Sequence, residues 1–221
     1  MSEPPAPVIA IDGPSASGKG TVAKEVAKGL GFHYLESGAL YRLVALASLQ
    51  QGVAADDEAG LAGLARDLPV EFRGDRTFLA GEDVTEAVRD EACGIRASEV
   101  APLRDVRAAL LARQRAFRQP PGLVAEGRDM GSIVFPDARL KVFLTASLAE
   151  RAQRRHKQLI DKGMHATLPT LFRDLAERDR RDAARSVAPL VAASDAVHID
   201  ATNLSARDVA AEIVQRYRKM E

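Results

Sequence analysis

Val8-Ile9-Ala10-Ile11-Asp12 runs directly into Gly13-Pro14-Ser15-Ala16-Ser17-Gly18-Lys19-Gly20-Thr21, and this stretch decides the fold. The β-branched run Val8–Ile11, broken by Asp12-Gly13-Pro14, reads as a buried strand. Val22, Val26, Ala27 and Leu30 recur at helical spacing, which predicts a helix from Lys19 to Leu30 closed by Gly31. A loop of small residues between strand and helix is what phosphate binding requires. Small side chains let backbone N–H groups turn inward around a phosphate, and the helix N-terminus adds its positive end. Lys19 then supplies a mobile cation. An ordinary strand-to-helix turn also uses Gly-Pro-Ser and Ser-Gly, but it has no need of a lysine in this register. One departure stands out: Gly20 follows Lys19, where the general motif has a Ser or Thr hydroxyl on magnesium.

Outward from this loop, Leu40–Leu49 is a second apolar helix ending near Gly52. The character changes from about 56 to 98. Asp56-Asp57 caps a short helix through Leu64, and Val70–Phe72 and Phe78–Ala80 read as short antiparallel strands between Gly-Asp breaks. An α/β core has no use for these pieces, so they are expected to form an inserted subdomain. Leu103–Phe117 is a helix rich in arginine, and Leu123–Ala125 and Leu140–Leu144 suit buried parallel strands. Glu150–Ile160 and Leu171–Ala184 are basic helices flanking a Lys162-Gly163-Met164 loop. Val197–Ile199 is a last strand, and Ser205 opens a C-terminal amphipathic helix. Strands alternating with helices predict an α/β fold with a doubly wound parallel sheet.

Composition narrows the function classes. The 221 residues suit one α/β domain carrying an insert, and 46% apolar with 28% charged residues is ordinary for a globular protein. The 31 basic and 31 acidic residues cancel, so no overall field would attract nucleic acid or an anionic membrane. The single cysteine, Cys93, excludes an intramolecular disulfide and a cysteine-built zinc site, and His33, His156, His165 and His198 lack metal-ligand spacing. The start of the chain lacks a signal-peptide pattern and no run is long enough to span a membrane, which leads us to expect a cytoplasmic protein.

Several longer motifs in one order make the chain resemble the bacterial cytidylate kinases from Val8 to about Asp200. They are Asp-Gly-Pro-Ser at Asp12–Ser15 and Ser-Gly-Ala-Leu-Tyr-Arg at Ser37–Arg42, while Gly-Lys-Gly-Thr at Gly18–Thr21 resembles the loop variant of nucleoside monophosphate kinases in general. Glu-Gly-Arg-Asp-Met-Gly-Ser at Glu126–Ser132, Val-Phe-Pro-Asp-Ala at Val134–Ala138 and the Arg178–Arg185 cluster follow. The resemblance implies a P-loop nucleoside monophosphate kinase fold. Its core would be residues 8–55 and 99–221, with an acceptor-binding insert at about 56–98 and a lid at about 154–170. It implies transfer of the γ-phosphoryl group of ATP to CMP or dCMP, with Mg2+ carried mainly by nucleotide phosphates and water. No resident metal site in the protein is expected, the partners are small nucleotides, and a monomer is the default.

By that resemblance Gly13, Pro14, Ser15, Ala16, Ser17, Gly18, Lys19, Gly20 and Thr21 hold ATP, joined by Arg154 or Arg155 from the lid. Ser37, Arg42, Arg128 and Arg185 meet the acceptor phosphate. Ser98, Arg107 and Asp129 meet cytosine, and Arg178 and Asp182 meet the sugar. Lys19, Arg128, Arg178 and Arg185 are the expected catalytic cations. The chemistry is coherent. Two nucleotides bring about four to six negative charges, which arginine neutralises bidentately, and phosphoryl transfer needs positioning more than covalent help. A carboxylate at Asp129 accepts from the cytosine amino group, whereas uracil presents a carbonyl.

Blander readings stand beside these. Ser37 with Arg42 could be a helix cap and a solvated arginine; Asp129 could serve only as the ion-pair partner of Arg128. Arg178, Asp182 and Arg185 share a helical face that could be a solvated ion-pair face. Glu126 either orients magnesium-bound water or lies behind the groups that do. A kinase for another acceptor and a non-catalytic nucleotide-binding regulator are the two rival functions.

Overall fold

The computed structural model describes residues 4–74, 76–161, 163–185 and 187–220. It divides into two compact units, one holding the chain up to Leu35 and again from Phe117, the other Glu36–Ala116. The second takes in two flanking helices as well as the 56–98 stretch.

The first unit is built on a sheet of β1 (Val8–Asp12), β2 (His33–Glu36), β6 (Leu123–Gly127), β7 (Leu140–Thr145) and β8 (Val197–Asp200), in the order β2-β6-β1-β7-β8. The pairings of β1 with β6, β1 with β7 and β7 with β8 are parallel, with Ile11 opposite Glu126 and Val142. Every residue of β1 and β6 is buried, because helices cover both faces of a parallel sheet. On one face α1 (Lys19–Leu30) and α8 (Ala206–Arg218) pack Val22, Val26, Val209, Ile213 and Tyr217 against Ile9, Ile11, Val142 and Leu144. Gly31 closes α1 in the left-handed conformation, where its N–H reaches back to Ala27 and Lys28. A separate apolar cluster, Ala152, Leu159, Leu171 and Leu175, joins α6 (Leu148–Ile160) to α7 (Leu168–Ala183), and Ala16 packs on it.

In the second unit α2 (Ser37–Gln51) packs on α4 (Glu91–Val100), and α3 (Glu58–Arg66) on α5 (Arg104–Ala116). Antiparallel strands β3 (Val70–Arg73), β4 (Arg76–Leu79) and β5 (Glu82–Asp83) form a small sheet. Asp57 caps α3 by accepting from the Gly60 N–H, as its sequence predicts.

Differences from the sequence reading lie at element ends and in short pieces. Thr167 caps α7, so that helix starts at Leu168, with Pro169 in its first turn where a proline N–H would lack a helical partner anyway. Ser147 likewise starts α6 two residues earlier, and α2 begins at Ser37 rather than Leu40. No strand is expected from the sequence at His33–Glu36 or Glu82–Asp83 and no helix at Glu91–Val100, where β2, β5 and α4 form. Among the described residues no helix is long and apolar enough to cross a membrane.

Candidate active site

The phosphate loop leaves β1 at Asp12, at the carboxyl edge of the sheet where α/β proteins bind ligands. Gly13 has to be glycine: a Cβ there would sit 2.1 Å from the Leu144 carbonyl oxygen on β7. Left-handed backbone at Ala16 (φ 59°) and Gly18 (φ 94°) curls the loop so that successive N–H groups can converge on one anion. Gly18 caps α1 without any side-chain bond. Lys19 is buried, with Nζ donating to the Pro14 carbonyl at 3.2 Å and standing 3.7 Å from the Glu126 carboxylate.

Asp12 ties the loop to the segment after β6. Its two carboxylate oxygens accept from the backbone N–H groups of Met130 and Gly131, each at 2.8 Å. Those residues open a π-helical turn, Met130–Val134, whose preceding residue is Asp129. Burial pushes the Asp12 carboxyl up to about 6; the Asp129 charge adds to this, while the two N–H bonds and Lys19 work against it. Asp129 is itself buried.

Arg128, beside it, donates through Nε to Asp182 on α7 at 2.9 Å, and Arg185 reaches the other oxygen of Asp182 at 2.5 Å. Burial raises the Asp182 carboxyl, but Arg128, Arg185 and Arg178 together outweigh it and hold the group below the usual carboxylate range. One buried carboxylate therefore gathers three guanidinium groups, which is more order than a solvated ion-pair face would have.

Arg154 and Arg155 sit on α6. Arg154 donates to Glu150, to the Ser17 carbonyl at 3.0 Å and to the Ala201 carbonyl at 2.6 Å. Arg155 is half-buried. A cavity of about 500 Å³ opens beside the loop, lined by Ser17, Gly18, Thr21, Arg154, Ala201 and Leu204 among others. Sequence reasoning did not place the Ala201–Ala206 connection here, since no motif marks it. Of the expected lid, Lys162 lies outside the described residues; Gly163 takes a left-handed φ of 73° after α6.

Within the second unit, Ser37 is buried as the first residue of α2, and the cap is Glu36. Arg42 donates to the carbonyls of Val88 at 2.9 Å and Asp90 at 3.4 Å, so it is not a solvated arginine. Its guanidinium lies across Gly94 on α4, where an added Cβ would come within 3.0 Å of it. Ser98, one turn along α4, donates to the Gly94 carbonyl at 3.1 Å. Arg107 donates to the Ala101 carbonyl and lies 5.8 Å from the centre of the Tyr41 ring. The four expected acceptor residues of this unit thus fall on α2, α4 and α5; α2 meets α4 at Arg42 and Gly94, and Arg107 on α5 reaches towards Tyr41 on α2.

Among the described residues no group of three or more His, Cys, Asp or Glu side chains could hold a metal ion directly. The donor set nevertheless fits a hydrated magnesium ion. Glu126 and Asp12 are buried hard-oxygen acceptors beside Lys19, and a Cβ on Gly20 would lie 3.5 Å from Glu126 Oε1.

A family model described as cytidylate kinase matches residues 9–219. The cytidylate kinase of Paraburkholderia phymatum is 58% identical over 214 residues, 97% of this chain and 94% of that protein. That of Ralstonia pickettii is 55% identical over 217 residues, 98% of this chain and 94% of that protein. Among solved structures, an uncharacterized protein from Eubacterium ventriosum aligns with a TM-score of 0.53 at 13% identity, covering 96% of this chain and 98% of that one, a likeness of fold alone.

Proposed function

The chain belongs to the cytidylate kinase family, and from that premise we propose that it moves the γ-phosphoryl group of ATP onto CMP or dCMP through the residues described above. The observation that carries this reading is the convergence of Arg128 and Arg185 on buried Asp182 in the unit that holds the phosphate loop. Binding ATP alone would not call for such a group; holding a second phosphorylated substrate would.

Gly13–Thr21 binds the donor phosphates through backbone N–H groups and Lys19. Lys19 exchanges its bonds to Pro14 and Glu126 for phosphate oxygens when ATP arrives. The cavity beside the loop takes the nucleoside end of ATP, and Arg154 shapes it by holding the Ser17 and Ala201 carbonyls. Arg155 is then the α6 arginine assigned to the donor phosphates. A magnesium ion carried by ATP would neutralise charge on the group in transfer, with Glu126 and Asp12 accepting hydrogen bonds from its waters.

Arg128 and Arg185 hold the acceptor phosphate, and Arg178 with Asp182 the sugar. Their preorganisation around Asp182 avoids reorganising charge during the reaction, which is where electrostatic catalysis gains most. No strong general base is required, because the attacking oxygen belongs to an ionised phosphate. Asp129 accepts from the cytosine amino group, and its burial makes the mismatch with the uracil carbonyl costly, by about 1–3 kcal/mol for an unsatisfied polar group. Ser37, Arg42, Ser98 and Arg107 are assigned to the acceptor nucleotide by family resemblance. The partners on this reading are small nucleotides rather than nucleic acid or membrane, and the chain works as a cytoplasmic monomer.

The test is ADP release from ATP with CMP, dCMP, UMP, AMP and GMP in turn. Turnover confined to the cytidylates supports the reading. Preferred turnover of another acceptor, or none with any, would replace it with one of the two rivals.

A further inference from the structure

A loop that points its N–H groups at a phosphate must point carbonyls the other way, and a buried carbonyl needs a donor. Here α6 provides it. Arg154 takes the Ser17 carbonyl, and one turn earlier Arg151 Nη1 takes the Ser15 carbonyl at 3.2 Å. Arg151 is buried. Its Nε donates to the Ala146 carbonyl at 3.0 Å, and Nη1 and Nη2 pair with the two oxygens of Asp179 on α7 at 3.0 and 2.5 Å. A planar guanidinium can serve three acceptors in fixed directions in this way, and an ammonium cannot.

We propose that Arg151, anchored by Asp179, is a positioning residue of the donor site that fixes the Ser15 peptide so the loop is shaped for phosphate before ATP binds. This rests on the donor-site reading above. Arg151 touches no substrate; its effect passes through the Ser15 carbonyl. It differs from Arg154 and Arg155, which are half-buried, in being closed off from solvent. Ala16, next in the chain, packs on the same α6–α7 apolar cluster, so the loop is gripped at consecutive residues by the same two helices.

The proposal is tested with Arg151→Lys, and with Arg151→Met/Asp179→Leu, in which both buried charges are removed together so that neither is stranded. Binding of the nonhydrolysable analogue β,γ-imido-ATP is measured by titration calorimetry without acceptor, and binding of CMP separately. Circular dichroism first fixes a temperature at which each protein is folded. Loss of the oriented charge-assisted bond should weaken analogue binding by about tenfold and raise the KM for ATP by the same factor. CMP affinity of Arg151→Lys should stay within about twofold. Wild-type analogue affinity in either folded variant would overturn the proposal. Equal loss of analogue and CMP affinity would overturn it as well, because Arg151 would then only support the fold. A wild-type protein that binds the analogue but does not phosphorylate CMP would defeat the proposed acceptor and leave this inference standing.

Discussion

Replacing Gly13 with alanine is the sharpest test of how the donor loop is built. The new methyl carbon would lie 2.1 Å from the Leu144 carbonyl oxygen and 3.1 Å from the carbonyl carbon. An ordinary carbon–oxygen contact is about 3.3 Å, so the overlap exceeds about 1 Å. Neither side can rotate away. Leu144 belongs to β7, and Ile9–Asp12 are locked to β7 in parallel register. Either the strands part or the first peptide of the loop shifts by about the overlap. Overpacking costs about 1–3 kcal/mol in general, and backbone on both sides puts this case near about 3 kcal/mol. For a chain of this size that lowers Tm by about 6–12 °C. A shift of about 1 Å in the group that positions the donor should also cost about 10²-fold in kcat/KM for ATP. Circular dichroism melting reads the first number, and a coupled ADP-release assay, run where the variant is folded, reads the second. A Gly13→Ala protein melting within about 2 °C of wild type with kcat/KM within about threefold would refute the reasoning.

Lys19→Ala should lower turnover by at least about 10²-fold, and it should also lower the melt, because it leaves the buried Glu126 carboxylate without its cation; assays at saturating ATP, run where the variant is folded, check this. Asp129→Ala should lower kcat/KM for CMP by about 10²-fold and collapse the CMP-to-UMP ratio. An equal loss for both substrates would reduce Asp129 to a support for its neighbours. The Asp12 carboxyl should titrate near 6, above its unfolded value of 3.8. Its folded form therefore holds the proton more tightly. The resulting stabilisation is fully present below about pH 4 and is lost as pH rises through about 6, a change of about 3 kcal/mol from this group. Carbon-13 NMR of the Asp12 carboxyl checks the titration directly, and a midpoint at or below 4 would contradict the burial argument.

Where the chain carries strong local chemistry, sequence and structure agree closely. The predicted helix Lys19–Leu30 is observed with those ends, because valine spacing, the loop before it and Gly31 after it all point the same way. Asp57 and Ser205 cap the helices they precede. The missed elements lack such agreement. His33–Glu36 is an edge strand with one buried residue out of four, so no apolar run announces it. Glu91–Val100 holds a mid-helix glycine that propensity argues against, and only Arg42 lying over Gly94 explains its place. The phosphate loop was legible because its chemistry is contiguous. Asp12, Arg151 and Asp179 were not legible as parts of the site, because their partners stand far along the chain. Arg151 falls within the basic helix expected over Glu150–Ile160, where no local signal sets it apart, and nothing near Asp179 in sequence points to Ser15.

The strand order also sets a schedule for the nascent chain. β1 precedes every other strand in the chain, yet Val8 pairs with Leu123 and Ile9 with Leu140, so both of its neighbours are synthesised long afterwards. Until then a strand that folding buries completely, apolar but for Asp12 at its end, has both edges unsatisfied, the condition under which strands seek partners in other chains. Residues 36–116 are complete before β6 exists, while the central sheet must wait for β6, β7 and finally β8, and α8 closes the core last of all. Such long-range pairing makes for slow assembly. Truncation that removes α8 would leave β1 paired on both edges but would uncover the face on which Val209, Ile213 and Tyr217 meet Ile9 and Ile11, and shielding of Val8–Asp12 during translation becomes a determinant of yield.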